Sequence, residues 1–183
     1  MPCNGVVNKA GHRIQRLRGL LRKEEVRFLP LDVNQVIREI AALVHTDAIL
    51  RNVVIDLTLA PKLPPVRGDR VQLQQVLLNL VLNGMEAIGP NGEGRRILIR
   101  TLQAEAVVRV SVQDEGPGIP AETLPRLFET FYTTKPSGMG MGLPISRTIV
   151  EAHGGRISAE NNPDRGATVS FTLPASPPDS SPA

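Results

Sequence analysis

Asp69-Arg-Val-Gln-Leu-Gln-Gln-Val-Leu-Leu-Asn-Leu-Val-Leu-Asn-Gly-Met-Glu-Ala-Ile88 is the stretch from which the rest of the chain can be read. Asp69, followed three residues later by Gln72, is a capping-box pattern and predicts a helix start. Leu73, Val76, Leu77, Leu80, Val81 and Ile88 recur at helical spacing and predict a core-facing side. Gln72, Gln75, Asn79, Asn83 and Glu86 form one polar stripe opposite them. A solvated face would account for a polar stripe. Amides in place of Lys or Glu point instead to a need for oxygen ligands, because burying an amide costs free energy unless it is bonded. Two glycine-rich loops follow, Asp114-Glu-Gly-Pro-Gly-Ile119 and Gly138-Met-Gly-Met-Gly-Leu143. Glycine lets backbone N–H groups approach phosphates, and a metal-bound triphosphate needs oxygen ligands. The ordered trio therefore reads as a nucleotide site.

Working outward, Asp32 with Gln35 repeats the capping pattern and predicts a helix to about Ile49. Val53–Leu59 alternates as a strand, and Pro61, Pro64 and Pro65 make a turn. Arg96–Gln103 and Val107–Asp114 read as a hairpin rich in Val, Ile and Thr. Residues 116–141 are punctuated by Gly and Pro and predict a loop. Leu143–Ala152 is a helix stopped by Gly154-Gly155, and Arg156–Glu160 and Ala167–Leu173 form a last hairpin. The sum is α+β: a two-layer α/β sandwich with a mixed, mostly antiparallel sheet and about three helices on one face. Strand and helix do not alternate as in a dinucleotide-binding fold. The second glycine run is G-x-G-x-G after a loop, not G-x-G-x-x-G after a strand.

At each end the pattern changes. Val7, Ala10, Ile14, Leu17 and Leu21 make a short heptad seam, interrupted by Gly11 and Gly19 and ringed by basic residues. Such a segment is a poor lone helix, so it reads either as one piece of a bundle or as a frayed leader. Ala175–Ala183, composed of Ala, Ser, Pro and Asp, is expected to be disordered.

Composition narrows the function. With 41% apolar residues and only 3% aromatic ones, the core is built from Leu, Ile and Val, and base-stacking aromatics are scarce. A net charge of +3 without a dense basic block does not suggest nucleic-acid binding. Cys3 is the single cysteine, which excludes a disulfide framework and fits a cytoplasmic location. No run approaches the roughly 18 apolar residues of a membrane helix, and no signal peptide is visible.

Asp114 ends a strand, where its carboxylate can accept a hydrogen bond from an exocyclic amine such as adenine N6; Gly116 and Gly118 leave room for a flat base. A plain tight turn is the alternative. Gly138, Gly140 and Gly142 precede a helix N-terminus, which favours anions, unless they are only a hinge. Between the loops, Phe128-Glu-Thr-Phe-Tyr-Thr-Thr-Lys135 supplies aromatic anchors and a cation, as a lid or as an ordinary surface loop.

With these motifs in this order, residues from about 30 to 174 resemble the ATP-binding catalytic domain of bacterial sensor histidine kinases, whose Bergerat fold is shared with gyrase-like ATPases. Asn79–Ala87 resembles the N-box, Asp114–Ile119 and Gly138–Leu143 the two glycine boxes, and Phe128–Phe131 the F-box. Thr133-Thr-Lys-Pro and Ile145–Gly155 are similar to the nitrogen- and oxygen-sensing subgroup. The resemblance implies residues 1–28 as the end of a dimerisation-domain helix, 29–174 as the catalytic domain and 175–183 as a tail. It implies ATP and Mg²⁺, with Asn83 and Asn79 on the metal and Asn79, Asn83 and Lys135 as the catalytic set. Asp114 would read adenine with Thr168 through water. The nucleotide would be lined by Gly116, Gly118, Ile119, Phe128, Tyr132, Thr133, Thr134, Lys135, Gly138, Met139, Gly140, Met141, Gly142, Leu143 and Thr168. Implied partners are a phosphoacceptor histidine domain of the same, homodimeric parent kinase and a response regulator.

Two departures stand out. Gly84 replaces the usual Ala at a small helix cost, and Glu86 lies near the expected phosphates without being a cation. Hydrolytic relatives place a Glu where Asn79 stands, and an amide cannot take a proton from water. His12, His45 and His153 all lack the phosphoacceptor pattern, so the chain is expected to carry no acceptor of its own. A gyrase-like ATPase and a regulatory nucleotide-binding module are the alternative functions.

Overall fold

The computed structural model describes residues 27–89, 95–132 and 140–176. The heptad seam of residues 1–26, with His12, lies outside the described residues. So do Thr133, Thr134, Lys135, Gly138 and Met139.

Seven strands and three α-helices are described: β1 (Leu29–Leu31), α1 (Val33–Leu50), β2 (Val54–Thr58), β3 (Val66–Gly68), α2 (Arg70–Ile88), β4 (Arg96–Ala104), β5 (Val107–Asp114), α3 (Gly142–Ala152), β6 (Arg156–Asn161) and β7 (Ala167–Pro174). Five strands form one sheet in the order β2-β4-β5-β7-β6. β2 runs parallel to β4, and the other pairs are antiparallel. This is the α+β sandwich with a mixed sheet that the periodicities predict. A second, two-stranded sheet pairs β1 with β3, which are too short to carry a periodicity signal.

Both Asp N-caps form. Asp32 accepts from Asn34 N–H at 2.8 Å, and Asp69 accepts from Gln72 N–H at 2.9 Å, each cap contributing about 1 kcal/mol. The reciprocal half of each box differs from expectation. Gln35 donates to Glu39 at 3.3 Å. The Asp69 N–H, which a capping box would offer to Gln72, donates to His153 Nε2 at 2.9 Å.

The core lies between α1, α2 and one sheet face. Val76, Leu77, Val81 and Met85 of α2 are fully buried against Ile97 and Ile99 of β4 and Val108 and Val110 of β5, each side chain stabilising by about 1.5–3 kcal/mol. Gly84 has a packing reason: an added Cβ would meet Ile97 Cδ1 at 2.8 Å and Asp114 Cβ at 3.4 Å. Thus α2 packs tightly on the sheet where β5 ends in Asp114. A buried ring of hydrogen bonds joins Asn34, Ala60 and Thr101 and fastens α1 to β4 at 2.8–2.9 Å.

The expected disordered tail begins too early. Ala175 N–H donates to Ala106 O at 2.8 Å, and Ser176 N–H donates to Pro65 O at 2.8 Å. Both residues continue the β7 side of the sheet, because free backbone groups of neighbouring turns lie within reach.

Candidate functional site

The C-terminal half of α2, the loop after β5 and the start of α3 meet at one end of the sheet. Asn79 and Asn83 are half-buried on α2. Asn83 Nδ2 donates to Asn79 Oδ1 at 3.5 Å, and Asn79 Nδ2 donates to Ser146 Oγ of α3 at 2.9 Å. Ser146 is buried, and its hydroxyl donates to the Gly142 carbonyl one turn earlier at 3.0 Å. At Gly142 the absence of a side chain is required, because a Cβ there would overlap Asn79 Oδ1. The second glycine run therefore sits directly on the amide of α2.

Farther along α2, next to Gly84, Asp114 is buried. Its Oδ1 accepts from Gly116 N–H at 2.8 Å and from Ala167 N–H at 3.4 Å. A Cβ on Gly116 would lie 3.1 Å from the Ala87 carbonyl, so the first glycine run packs on the end of α2. These contacts fix the orientation of the carboxylate.

The end of β6 and the turn into β7 contribute Asn161 and Asn162, which residue pattern alone does not single out. Asn161 bonds Ile119 twice, accepting from its N–H and donating to its carbonyl, both at 2.7 Å. Asn162 donates to Arg165 O at 2.8 Å and to Asp114 O at 3.4 Å. Thr168, expected beside Asp114, donates its hydroxyl to Asn162 Oδ1 at 2.6 Å. The Asn-Asn pair thus clasps the loop holding Gly116, Gly118 and Ile119. Asn next to a turn Pro is common, so sequence carried no signal for this role.

The segment toward the expected lid is partly different from its reading. Tyr132 is an anchor: its ring lies 4.2 Å from the Arg126 guanidinium and its hydroxyl 3.3 Å from Thr123 Oγ1. Phe128 is half-buried. Phe131 is 74% exposed and anchors nothing. Its N–H donates to Gly140 O at 3.0 Å, so the two ends of the intervening segment meet at Phe131 and Gly140. Leu143 packs against the core, whereas Met141 caps α3 without a side-chain hydrogen bond. Glu86 is exposed on α2.

His153 is buried at the end of α3. One ring nitrogen accepts from Asp69 N–H, and the other faces the Ile149 carbonyl at 2.8 Å, which assigns the Nδ1–H tautomer. Phe28 stands over the ring at 4.7 Å. His153 thus has a structural role, tying the end of α3 to the N-cap residue of α2. His45 is exposed on α1.

Among the described residues no cluster of three His, Cys, Asp or Glu side chains could hold a metal. The oxygen donors that α2 brings to the site are the amides of Asn79 and Asn83. That set suits Mg²⁺, which keeps several waters and is held by a few protein oxygens plus substrate phosphates. Among the described residues no helix is long and apolar enough to cross a membrane.

Residues 68–177 match the family described as histidine kinase-, DNA gyrase B-, and HSP90-like ATPase. The chain is 42% identical over 167 residues to the sensor protein FixL of Bradyrhizobium diazoefficiens, covering 91% of this chain and 33% of that protein. It is 36% identical over 173 residues to the sensor protein TdiS of Thauera aromatica, covering 92% and 31%. The chain thus spans about a third of the length of the curated relatives it matches. Among solved structures it is similar to the nucleotide-free catalytic domain of histidine kinase ThkA, with a TM-score of 0.73 at 37% identity, covering 81% of this chain and 95% of that one. ThkA in complex with response regulator protein TrrA gives 0.75 at 32%, covering 92% and 49%. Full-length ShkA in complex with AMPPNP gives 0.77 at 26%, covering 91% and 36%.

Proposed function

We propose a function from one premise: the chain belongs to the histidine kinase-, DNA gyrase B-, and HSP90-like ATPase family. It is the ATP-binding catalytic part, residues 29–174, of a two-component sensor histidine kinase. It binds Mg-ATP and gives the γ-phosphoryl group to a histidine on the dimerisation domain of a homodimeric, cytoplasmically oriented parent. From there the group passes to a response regulator. The observation that carries this reading is the convergence on one face of the α2 amides, the Asp114 loop and the start of α3.

The roles follow from the donor set. Asp114, fixed by two backbone N–H groups, presents a carboxylate to the adenine amine, with Thr168 positioned by Asn162 beside it. Asn83 and Asn79 hold Mg²⁺ against the phosphates. Bound there, the metal would neutralise phosphate charge during transfer. The α3 N-terminus would favour the same anion, because helix N–H groups attract negative charge, and Lys135 is the cation the family resemblance assigns to it. Catalysis is then positioning and charge stabilisation, because among the described residues the side chains bonded to Asn79 are Ser146 and Asn83, neither of which is a base for water. The amide at position 79 favours transfer to a protein nucleophile over hydrolysis.

A radiolabel assay with γ-labelled ATP and a separately supplied dimerisation domain tests the reading. Label on the acceptor histidine is the expected result. Free labelled phosphate without transfer would replace it with a gyrase-like ATPase. Nucleotide binding with neither product would leave a regulatory module.

A further inference from the structure

We propose that Ser146 is a positioning residue that sets which end of the Asn79 amide faces the phosphate site. An amide side chain presents an oxygen on one side and an NH₂ on the other, and only the oxygen can ligate a cation. What surrounds Asn79 decides between the two. Ser146 is 1% exposed, and its hydroxyl gives its one proton to the Gly142 carbonyl at 3.0 Å. A hydroxyl that has given its proton away can only accept. Asn79 must therefore offer it Nδ2, and the observed Nδ2–Oγ distance is 2.9 Å. This turns Oδ1 away from α3's interior, toward Asn83 Nδ2 at 3.5 Å and the Cα of Gly142. The oxygen thus emerges at the junction of α2 with the second glycine run. The inference rests on the Mg-ATP reading above.

The same chain of bonds makes a carboxylate at position 79 unfavourable. A carboxylate would face a lone pair of Ser146, unless the serine abandoned the Gly142 carbonyl. A valine or alanine at 146 would leave only the longer 3.5 Å bond from Asn83 Nδ2 to orient the amide, too weak to hold it against rotation. Ser146 bonds Asn79 and Gly142 and is proposed to touch no substrate. It acts through Asn79, and its signature is an effect confined to the magnesium-dependent part of binding.

The test is calorimetric titration of the whole chain with ATP, once with Mg²⁺ and once with EDTA, for wild type, Ser146→Ala and Ser146→Thr. The wild type should bind more tightly with Mg²⁺. Ser146→Ala should lose most of that gain, roughly fivefold to tenfold, while its affinity in EDTA stays within about twofold. Ser146→Thr, which keeps an accepting hydroxyl, should retain the gain. Should Ser146→Ala fail to fold, Ser146→Cys, of similar volume and a weak acceptor, is read by the same criterion. Equal loss in Mg²⁺ and EDTA, or no loss in either, would overturn the role of Ser146 and leave the Mg-ATP reading intact. A wild type indifferent to Mg²⁺ would overturn both.

Discussion

Replacing Gly142 by Ala should separate binding from stability. The backbone of Gly142 has no left-handed strain to relieve, so Ala is conformationally acceptable. In a helix Ala is favoured over Gly by up to about 1 kcal/mol, less in the first turn. The new methyl overlaps Asn79 Oδ1, and the flexible amide is what gives way. Its bond to Ser146 is then lost, a cost of about 0.5–1.5 kcal/mol. These terms nearly cancel, so thermal unfolding should shift by no more than about 4 °C for a domain of this size. Nucleotide affinity should not cancel. With Asn79 displaced from the junction, binding of Mg-ATP should weaken about tenfold, equivalent to about 1.4 kcal/mol. Titration with ATP and a melting curve on the same preparation measure both. Unchanged affinity would refute the claim that this contact shapes the site. So would a fall in melting temperature of more than about 5 °C, which would show that the backbone, not the amide, had moved.

Asn83→Ala should weaken Mg-ATP binding by about tenfold, and an unchanged titration would remove Asn83 from the site. Amide hydrogen exchange from about residue 121 to 141 should slow when Mg-ATP is added, since the segment joins the two glycine runs and has few apolar residues to bury; equal exchange in both states would reject a lid. His153→Ala should destabilise the chain by about 3 kcal/mol, because it strips partners from Asp69 N–H and Ile149 O and removes the contact with Phe28. Urea unfolding checks this, and a loss under about 1 kcal/mol would show that water replaces the ring. The chain alone should not phosphorylate itself; acid-labile, base-stable phosphate on His12, His45 or His153 would sink the expectation that its acceptor lies elsewhere.

Local chemistry was legible in the residues themselves. The 3.6 period of Leu73–Ile88, the alternation of the two hairpins and the Asp caps gave the helices and the five-stranded sheet, because each depends on neighbours within one turn or one strand. The glycine runs and the amide pair were visible for the same reason: their spacing is a property of the chain. The partners of those groups were not. Asn161 and Asn162 lie 42 and 48 positions from Ile119 and Asp114, Ser146 lies 67 from Asn79, and His153 lies 84 from Asp69. No periodicity links such pairs. Gln72 and Gln35 satisfied a local capping rule, yet the Asp69 N–H went to His153 because the end of α3 packs over the start of α2. Phe131 looked like an anchor by type and is exposed by position. Sequence by itself determined which elements form and which groups could do chemistry. Only the tertiary structure decided which polar atom meets which, since a hydrogen bond is a matter of ångströms between segments whose approach is set by the packing of the core.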